Sequence, residues 1–391
     1  MSDMSSLVET RDWVHFRRLP ARQQPDWPDR DELHAVLRSL PQDDLVTRDS
    51  VDELWIALAG LESGGLVLQL GDCVEDIDED VGAVTRQKLG FLDEARSRLR
   101  HRTGREVIAV GRLAGQYAKP RSSDHEIVDG VALPSFRGPI VNSPHASLDA
   151  RIPSAHRVAR AHAAAQRAYE VIDAHNRAAG RDAPVWTSHE LLLLDYELRF
   201  LRNDAPRNHL ATTHWPWIGE RTRQRDGAHI ALASTLSNPV SVKLGPSASP
   251  DEAARLAQRL NPHDEPGRLT FIVRMGHQYI DRLRPVVRGV HRRLRHVHWI
   301  CDPMHGNTIT SRSGLKTRHV EHVVAELRRF QEILLDERRH PAGLHLEATP
   351  DDVYECSHHH REPTDPSRYR TLLDPRLNPE QTAHVLDQWF V

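Results

Sequence analysis

The stretch Trp299-Ile-Cys-Asp-Pro-Met-His-Gly-Asn-Thr308 presents a thiol, a carboxylate and an imidazole, at Cys301, Asp302 and His305. They fall within a span of five residues, directly after the apolar Val297, Trp299 and Ile300. A buried strand delivers polar groups to the end of a sheet in this way. Other apolar runs end alike, at or near Cys73, Arg112, Glu190, Glu220 and Arg221, Lys243, Arg274 and Glu347. The repetition predicts that these ends converge on one pocket.

Cations dominate the set. Arg112, Lys119 and Arg121 share the segment Gly111–Ser123, Arg221 and Arg223 share Gly219–Gln224, and Lys243 and Arg274 each close an apolar run. A charge at the end of a buried strand is costly to desolvate unless it is paired. The functional reading is a substrate with several phosphates, or a phosphate and a carboxylate, held by guanidinium forks. The plainer reading is internal ion pairing with Glu220, Glu190 or Asp195.

A second group has metal-ligand chemistry: Cys73, His305, Glu347 and Asp374. Mixed sulfur, nitrogen and oxygen donors suit a divalent transition metal. Their wide separation gives no signature by spacing, and a buried cysteine often serves as a small apolar residue. Cys356-Ser-His-His-His360 could also bind a metal, or form an exposed loop. His189-Glu190 starts like a zinc-protease helix, but Leu193 stands where the second histidine belongs. Glycine-rich dinucleotide and P-loop motifs are absent, as is a GxSxG nucleophile turn.

Stepping along the chain, apolar runs at Leu66–Leu70, Val107–Val110, Val185–Ser188, Leu210–Thr213, Val240–Leu244, Leu269–Val273, Val297–Cys301 and Gly343–Leu346 read as eight strands. Helical faces lie between them, as at Leu89, Leu92, Ala95 and Leu99, at Val158, Ala161, Ala165 and Ile172, and at Val320, Val323, Leu327 and Leu334. Ser249-Pro-Asp-Glu252 has the form of a capping box. Alternating strands and helices predict an α/β fold, a (β/α)8 TIM barrel, whose strand ends gather the active-site loops on one face. A doubly wound sheet is the alternative. Residues 1–62 read as an N-terminal arm with helices near Arg30–Leu40 and Val51–Leu61, and 63–391 as the catalytic barrel. Ser122–Ser154 reads as a long loop over the strand ends.

The chain has 391 residues, 39% hydrophobic and 27% charged, enough for one large core. Its 52 Lys and Arg against 55 Asp and Glu leave a net charge of −3, with no global field for nucleic acid. Three cysteines without CxxC spacing fit a reducing compartment. The sequence has neither a signal core nor an apolar run of about 20 residues, so a soluble, cytoplasmic protein is expected.

Taken together, the motifs resemble those of the type II, plant-like DAHP synthases. The matching segments are Leu68-Gln-Leu-Gly-Asp-Cys73, Gly111-Arg-Leu-Ala-Gly-Gln-Tyr-Ala-Lys-Pro-Arg-Ser122, Thr187-Ser-His-Glu190 and Trp217-Ile-Gly-Glu-Arg-Thr-Arg-Gln224. They continue through Asn238-Pro-Val-Ser-Val-Lys-Leu-Gly-Pro246, Arg274-Met-Gly276, Cys301-Asp-Pro-Met-His-Gly-Asn-Thr308, Gly343-Leu-His-Leu-Glu347 and Asp374-Pro-Arg-Leu-Asn378. They run in family order from about Trp13 onward. The resemblance implies a TIM barrel that condenses phosphoenolpyruvate with erythrose 4-phosphate and releases phosphate, at the head of the shikimate pathway. It also implies a divalent metal, manganese or cobalt, on Cys73, His305, Glu347 and Asp374. By the same likeness Arg112, Lys119, Glu220, Arg221, Lys243 and Arg274 surround phosphoenolpyruvate, while Arg121 and Ser122 take the sugar phosphate. Glu220, Lys119 and His305 would carry the chemistry, with the protons moved either by Glu220 or by a water at the ion. A homo-oligomer, dimer or larger, is the family habit.

Three departures stand out: Leu70 where the family has glycine, Leu373 where a cysteine often precedes the ligand aspartate, and Cys356-Ser-His-His-His360 in place of a glycine-rich turn. The chain is also shorter than many relatives, which points to loss of feedback helices and to secondary metabolism. The alternatives are a synthase using an amino or imino erythrose phosphate, and a non-catalytic regulatory homologue.

Overall fold

Six of the eight parallel strands carry an inward-facing polar group near or just beyond the C-terminal end, and that alternation places the chemistry. In the computed structural model, which describes residues 15–128, 130–180, 183–203, 207–358 and 365–390, these strands form one sheet. They are β1 (Leu66–Gly71), β2 (Val107–Arg112), β3 (Val185–Thr187), β4 (Trp217–Ile218), β5 (Val240–Leu244), β6 (Leu269–Val273), β7 (His298–Cys301) and β8 (Pro341–Glu347). Every pairing is parallel, in the order β3-β2-β1-β8-β7-β6-β5-β4. The sheet curls so that its two edge strands, β3 and β4, approach each other. There Glu190 and Trp217 form a parallel bridge, with Trp217 N–H donating to His189 O at 3.0 Å and Leu191 N–H to Trp217 O at 2.8 Å.

Helices follow each turn of the sheet: α3 (Val81–Thr103), α4 (Ala155–Ala179), α5 (Ala228–Thr235), α6 (Pro250–Leu260), α7 (Leu283–His291), α8 (Val320–Asp336) and α9 (Pro379–Leu386). One apolar cluster joins outward strand residues such as Leu68, Ala109, Val242, Phe271 and Leu344 to Leu92 of α3, Leu256 of α6 and Leu327 of α8. A separate cluster fills the inside, with Val67, Val110, Trp217, Ile272 and Ile300 meeting Leu54, Leu58 and Leu61. Those last three belong to or follow α2 (Arg48–Ala59), so the N-terminal segment stoppers the sheet from below. The helix before it, α1 (Arg30–Ser39), caps with Asp29, whose side chain accepts the Glu32 N–H.

The sequence reading departs from the structure in three places. Leu210–Thr213 is not a strand of the parallel sheet. His209–Leu210 pairs antiparallel with Leu201–Arg202, and Ala211 O accepts from Leu45 and Val46 N–H, both at 3.1 Å. The fourth parallel strand is Trp217–Ile218, too short to show a period. Ser122–Ser154, read as a loop, contains a hairpin of His125–Val128 with Val131–Pro134 and a helical turn at Leu148–Arg151. Ser249 does cap α6 by accepting the Glu252 N–H, but Glu252 turns its carboxylate to Arg223 rather than back to the cap. Among the described residues no helix is long and apolar enough to cross a membrane.

Candidate active site

First and last strands lie side by side, Gly71 opposite Glu347, and Arg112 stands on the other flank of Gly71. Period-two alternation then puts Gln69, Arg112, Lys243, His345 and Glu347 on the inner face, while the turns after β1, β6 and β7 add Cys73, Arg274, Asp302 and His305. The ammonium of Lys119 sits at the centre. It is 2.8 Å from Cys73 Sγ, 2.9 Å from Glu347 Oε1, 2.8 Å from Asp374 Oδ2 and 3.2 Å from His305 Nε2. All four residues singled out as metal ligands therefore converge on one cation.

The donor atoms of Cys73, Glu347 and Asp374 lie within 4.8 Å of one another, and His305 Nε2 is 2.9 Å from Glu347 Oε1. His305 Nδ1 faces Asp302 at 2.8 Å, which turns Nε2 toward the other three, as a carboxylate does for a metal-bound imidazole. Thiol, imidazole and two carboxylates, mostly buried and arranged around a point already chosen by a positive charge, fit a divalent transition metal. Burial pushes the Glu347 carboxyl up, but His305, Lys119, Arg318 and Arg112 together hold it well below the usual range. Asp374 is likewise held down against burial, chiefly by Lys119. Burial drives the Cys73 thiol up to about 12 even with Lys119 beside it, so a bound cation is what would hold it as thiolate.

Around this centre the cations are arranged in a shell. Arg112, 1% exposed, donates to Glu347 Oε1 at 3.0 Å and lies 2.7 Å from His345 Nε2 and 5.2 Å over the Trp217 ring. Lys243 donates to Asp302 at 2.9 Å and shares the same ring at 5.6 Å; burial lowers its pKa to about 8 despite Asp302. Arg274 donates to the His305 carbonyl at 3.1 Å. Glu220 accepts from Arg223 (2.8 and 3.0 Å), Gly245 N–H (2.7 Å) and Ser247 Oγ (2.9 Å). Burial raises its pKa, and these partners more than reverse the effect.

Arg121 and Ser122 stand apart from the cluster. Arg121 pairs with Glu126 of the hairpin and donates its N–H to Gln23 of the N-terminal arm at 2.7 Å, while Ser122 is exposed. Arg221 is exposed too, and its charge reaches Glu190. The zinc-like His189 is structural: buried, it sits 2.9 Å from Glu197, which also accepts from Thr212. Of the tract Cys356–His360, Cys356 and Ser357 are buried, with Ser357 bridged to His319, and His358 is exposed beside Glu321; His359 and His360 lie outside the described residues.

Some residues of the site had no assigned role in the sequence. Arg318, wholly buried, donates to Glu347 Oε2 at 2.7 Å and to Thr308 and Pro375, yet it sits beside a two-residue strand with no pattern to flag it. His345 lies two residues before Glu347 on the same face, a signal that alternation offers. Glu190 keeps a buried oxygen, Oε1, without a hydrogen-bond partner. Its carboxylate fits only because residue 219 is glycine: a Cβ there would lie 2.0 Å from that oxygen.

The model of the class-II DAHP synthetase family matches residues 11–183 and 167–387 of this chain. The chain belongs to the class-II DAHP synthetase family. It is 42% identical to a Pseudomonas fluorescens protein named "Probable phospho-2-dehydro-3-deoxyheptonate aldolase", over 94% of each chain. It is 40% identical to the phospho-2-dehydro-3-deoxyheptonate aldolase of Streptomyces coelicolor, over 95% of this chain and 94% of that one. For the Mycolicibacterium smegmatis aldolase of the same name the figures are 35%, 94% and 91%. The departures from the family pattern leave this centre intact. Leu70 lies in the outer apolar cluster with Leu89 and Leu92 of α3. With Leu373 in place of a cysteine, Cys73 is unpaired, and its sulfur accepts the Asp374 N–H at 3.3 Å.

Proposed function

We propose that this member of the class-II DAHP synthetase family condenses phosphoenolpyruvate with erythrose 4-phosphate to give DAHP and inorganic phosphate. The observation that carries the reading is the convergence of Cys73, His305, Glu347 and Asp374 on a single cation position, ringed by arginine and lysine. In this reading the curled sheet is a closed (β/α)8 barrel, supported by the Glu190–Trp217 bridge, with residues 1–62 as arm and stopper and 63–391 as the catalytic body. The setting is cytoplasmic and the working form a homo-oligomer.

The chemistry asks for two phosphorylated anions to be held in contact, which needs concentrated positive charge. Arg112, Lys119, Arg221, Lys243 and Arg274 hold the phosphate and carboxylate of phosphoenolpyruvate. Arg121 and Ser122 hold the phosphate of the acceptor. A divalent ion on the four ligands, manganese or cobalt by its donor set, supplies Lewis acidity toward the aldehyde. With both substrates fixed, the enol carbon attacks the aldehyde carbon, whose oxygen becomes an alkoxide. Water adds at the phosphate-bearing carbon and gives one proton to that alkoxide. The adduct then breaks its carbon–oxygen bond to phosphate as its hydroxyl loses the second proton, leaving the ketone and inorganic phosphate. That second proton needs an acceptor. Glu220 is fully occupied by Arg223, Gly245 and Ser247 and serves to align the phosphate pocket. Glu190 has the unpartnered oxygen and a pKa raised by burial, against the pull of Lys243, Lys119, Arg221 and Arg112, which suits a group that takes a proton and returns it to the leaving phosphate.

The test is direct. Chelator-treated protein given both substrates should consume phosphoenolpyruvate only after manganese or cobalt is restored, with one phosphate released per turnover. Metal-reconstituted protein that leaves phosphoenolpyruvate untouched would sink the reading.

A further inference from the structure

Between the metal ligand Cys73 and the cations Arg112 and Lys119 lies one buried carboxylate that touches neither the ion position nor the substrate shell. Glu75 is 5% exposed. Its carboxylate accepts three consecutive backbone N–H groups: Ala114 on Oε2 at 3.1 Å, and Gly115 and Gln116 on Oε1 at 3.1 and 3.0 Å. Glu75 N–H in turn donates to Gln116 O at 2.9 Å. The loop pays for this wrap with a left-handed Ala114, φ 61°, and it needs glycine at 115, where a Cβ would lie 2.1 Å from His189. Three parallel amides make a concave, positive pocket of the kind proteins use for anions. Here the anion is internal.

We propose that Glu75 is a positioning residue: it fixes the segment from Arg112 to Lys119 against the Cys73 turn, so that metal ligand and phosphoenolpyruvate cations keep one register. Cys73 is two residues from Glu75 on one side of this clamp. Arg112 and Lys119 leave the wrapped loop on the other. Gln116 passes the constraint on, since its side chain accepts the Glu190 N–H at 3.0 Å. A core carboxylate with no positional task would be satisfied by its cation alone, yet Lys88 stands 3.9 Å from Glu75 and gives its close contact, 2.5 Å, to Asp72.

The kinetic arm of the test rests on the proposed function; the exchange arm does not. In full-length, manganese-loaded protein, Glu75→Gln keeps the volume and one acceptor oxygen but sets an NH2 against at least one of the three N–H donors. Amide hydrogen exchange in peptides covering 113–118 should accelerate by about tenfold or more, with α7 and α8 unchanged. The KM for phosphoenolpyruvate should rise about 10- to 100-fold, with the acceptor KM unchanged and kcat falling less than KM rises. Should Glu75→Gln fail to fold, Glu75→Asp keeps the charge opposite Lys88 while withdrawing the carboxylate, and the same local loosening is expected. Wild-type exchange rates in 113–118, or both KM values rising in step, would overturn the assignment. If wild-type protein itself consumes no phosphoenolpyruvate, the proposed function fails while the exchange result still decides the role of Glu75.

Discussion

The ammonium of Lys119 lies 2.8 Å from the sulfur of Cys73. A lysine that reaches a thiol flanked by two carboxylates, and whose pKa those anions raise against burial, marks a point that favours positive charge. Replacing ligands at that point should therefore remove metal rather than fold. Cys73→Ser and His305→Ala are expected to lose metal-dependent turnover by more than about 100-fold, with circular dichroism unchanged and bound manganese reduced. Full activity of either variant in chelator-treated buffer refutes the ligand assignment.

Arg318 donates to the oxygen of Glu347 that faces away from Lys119, and it also ties down Thr308 and the carbonyl before Arg376. Arg318→Leu should weaken manganese binding about 10- to 100-fold, measured by calorimetry, because the carboxylate loses its orientation. Undiminished affinity would reduce Arg318 to packing.

Arg274 holds the carbonyl of His305, and its charge also acts on Glu220. Arg274→Ala removes charge-assisted hydrogen bonds worth about 1.5–3 kcal/mol, a rise of about 10- to 100-fold in the KM for phosphoenolpyruvate. An unchanged KM and kcat would count against the phosphate clamp.

Arg268 has a structural task. Buried and stacked over Trp55, it donates to Leu260 O at 3.1 Å, Ala233 O at 2.8 Å and Asn238 O, closing the ends of α5 and α6. Arg268→Met should lower unfolding stability by about 3 kcal/mol or more, read from the urea midpoint, while kcat of the folded fraction holds. A midpoint equal to wild type would show those carbonyls rehydrate at no cost.

Burial pushes His162, His229, His291 and His298 down to about 4, and His214 to about 3. Each is neutral in the fold and takes a proton on unfolding near its ordinary value of about 6.5. The unfolded chain thus binds more protons between those limits, so stability is full above pH about 6.5 and falls as pH drops toward 4. Denaturant midpoints at about pH 7.5 and pH 5.5 should show the fall, and His162→Phe, which keeps the stack on Phe200, should shallow it. A slope untouched by the substitution would assign the acid sensitivity elsewhere.

Much of this site was legible because strands announce themselves twice, by apolar runs and by the charged residue that ends them. Lys243 sits at the end of such a run, Arg274 follows one directly, and Asp302 and His305 come just after another. Trp217–Ile218 offered no run, so the fourth parallel strand was placed instead at Leu210–Thr213, whose apolar residues serve the packing of the N-terminal segment. Arg318 and Glu75 were invisible for a different reason. Their work is to accept or donate within loops, and loop hydrogen bonding leaves no period to read.

Because β1 and β8 are neighbours, Cys73 and Asp374 meet although they lie 301 positions apart in the sequence. A chain made through His305, just past β7, holds the thiol and the imidazole but neither Glu347 nor Asp374. Only once the segment through Asp374 has been added does a growing chain own all four groups, so this cluster cannot form before β8 has docked beside β1.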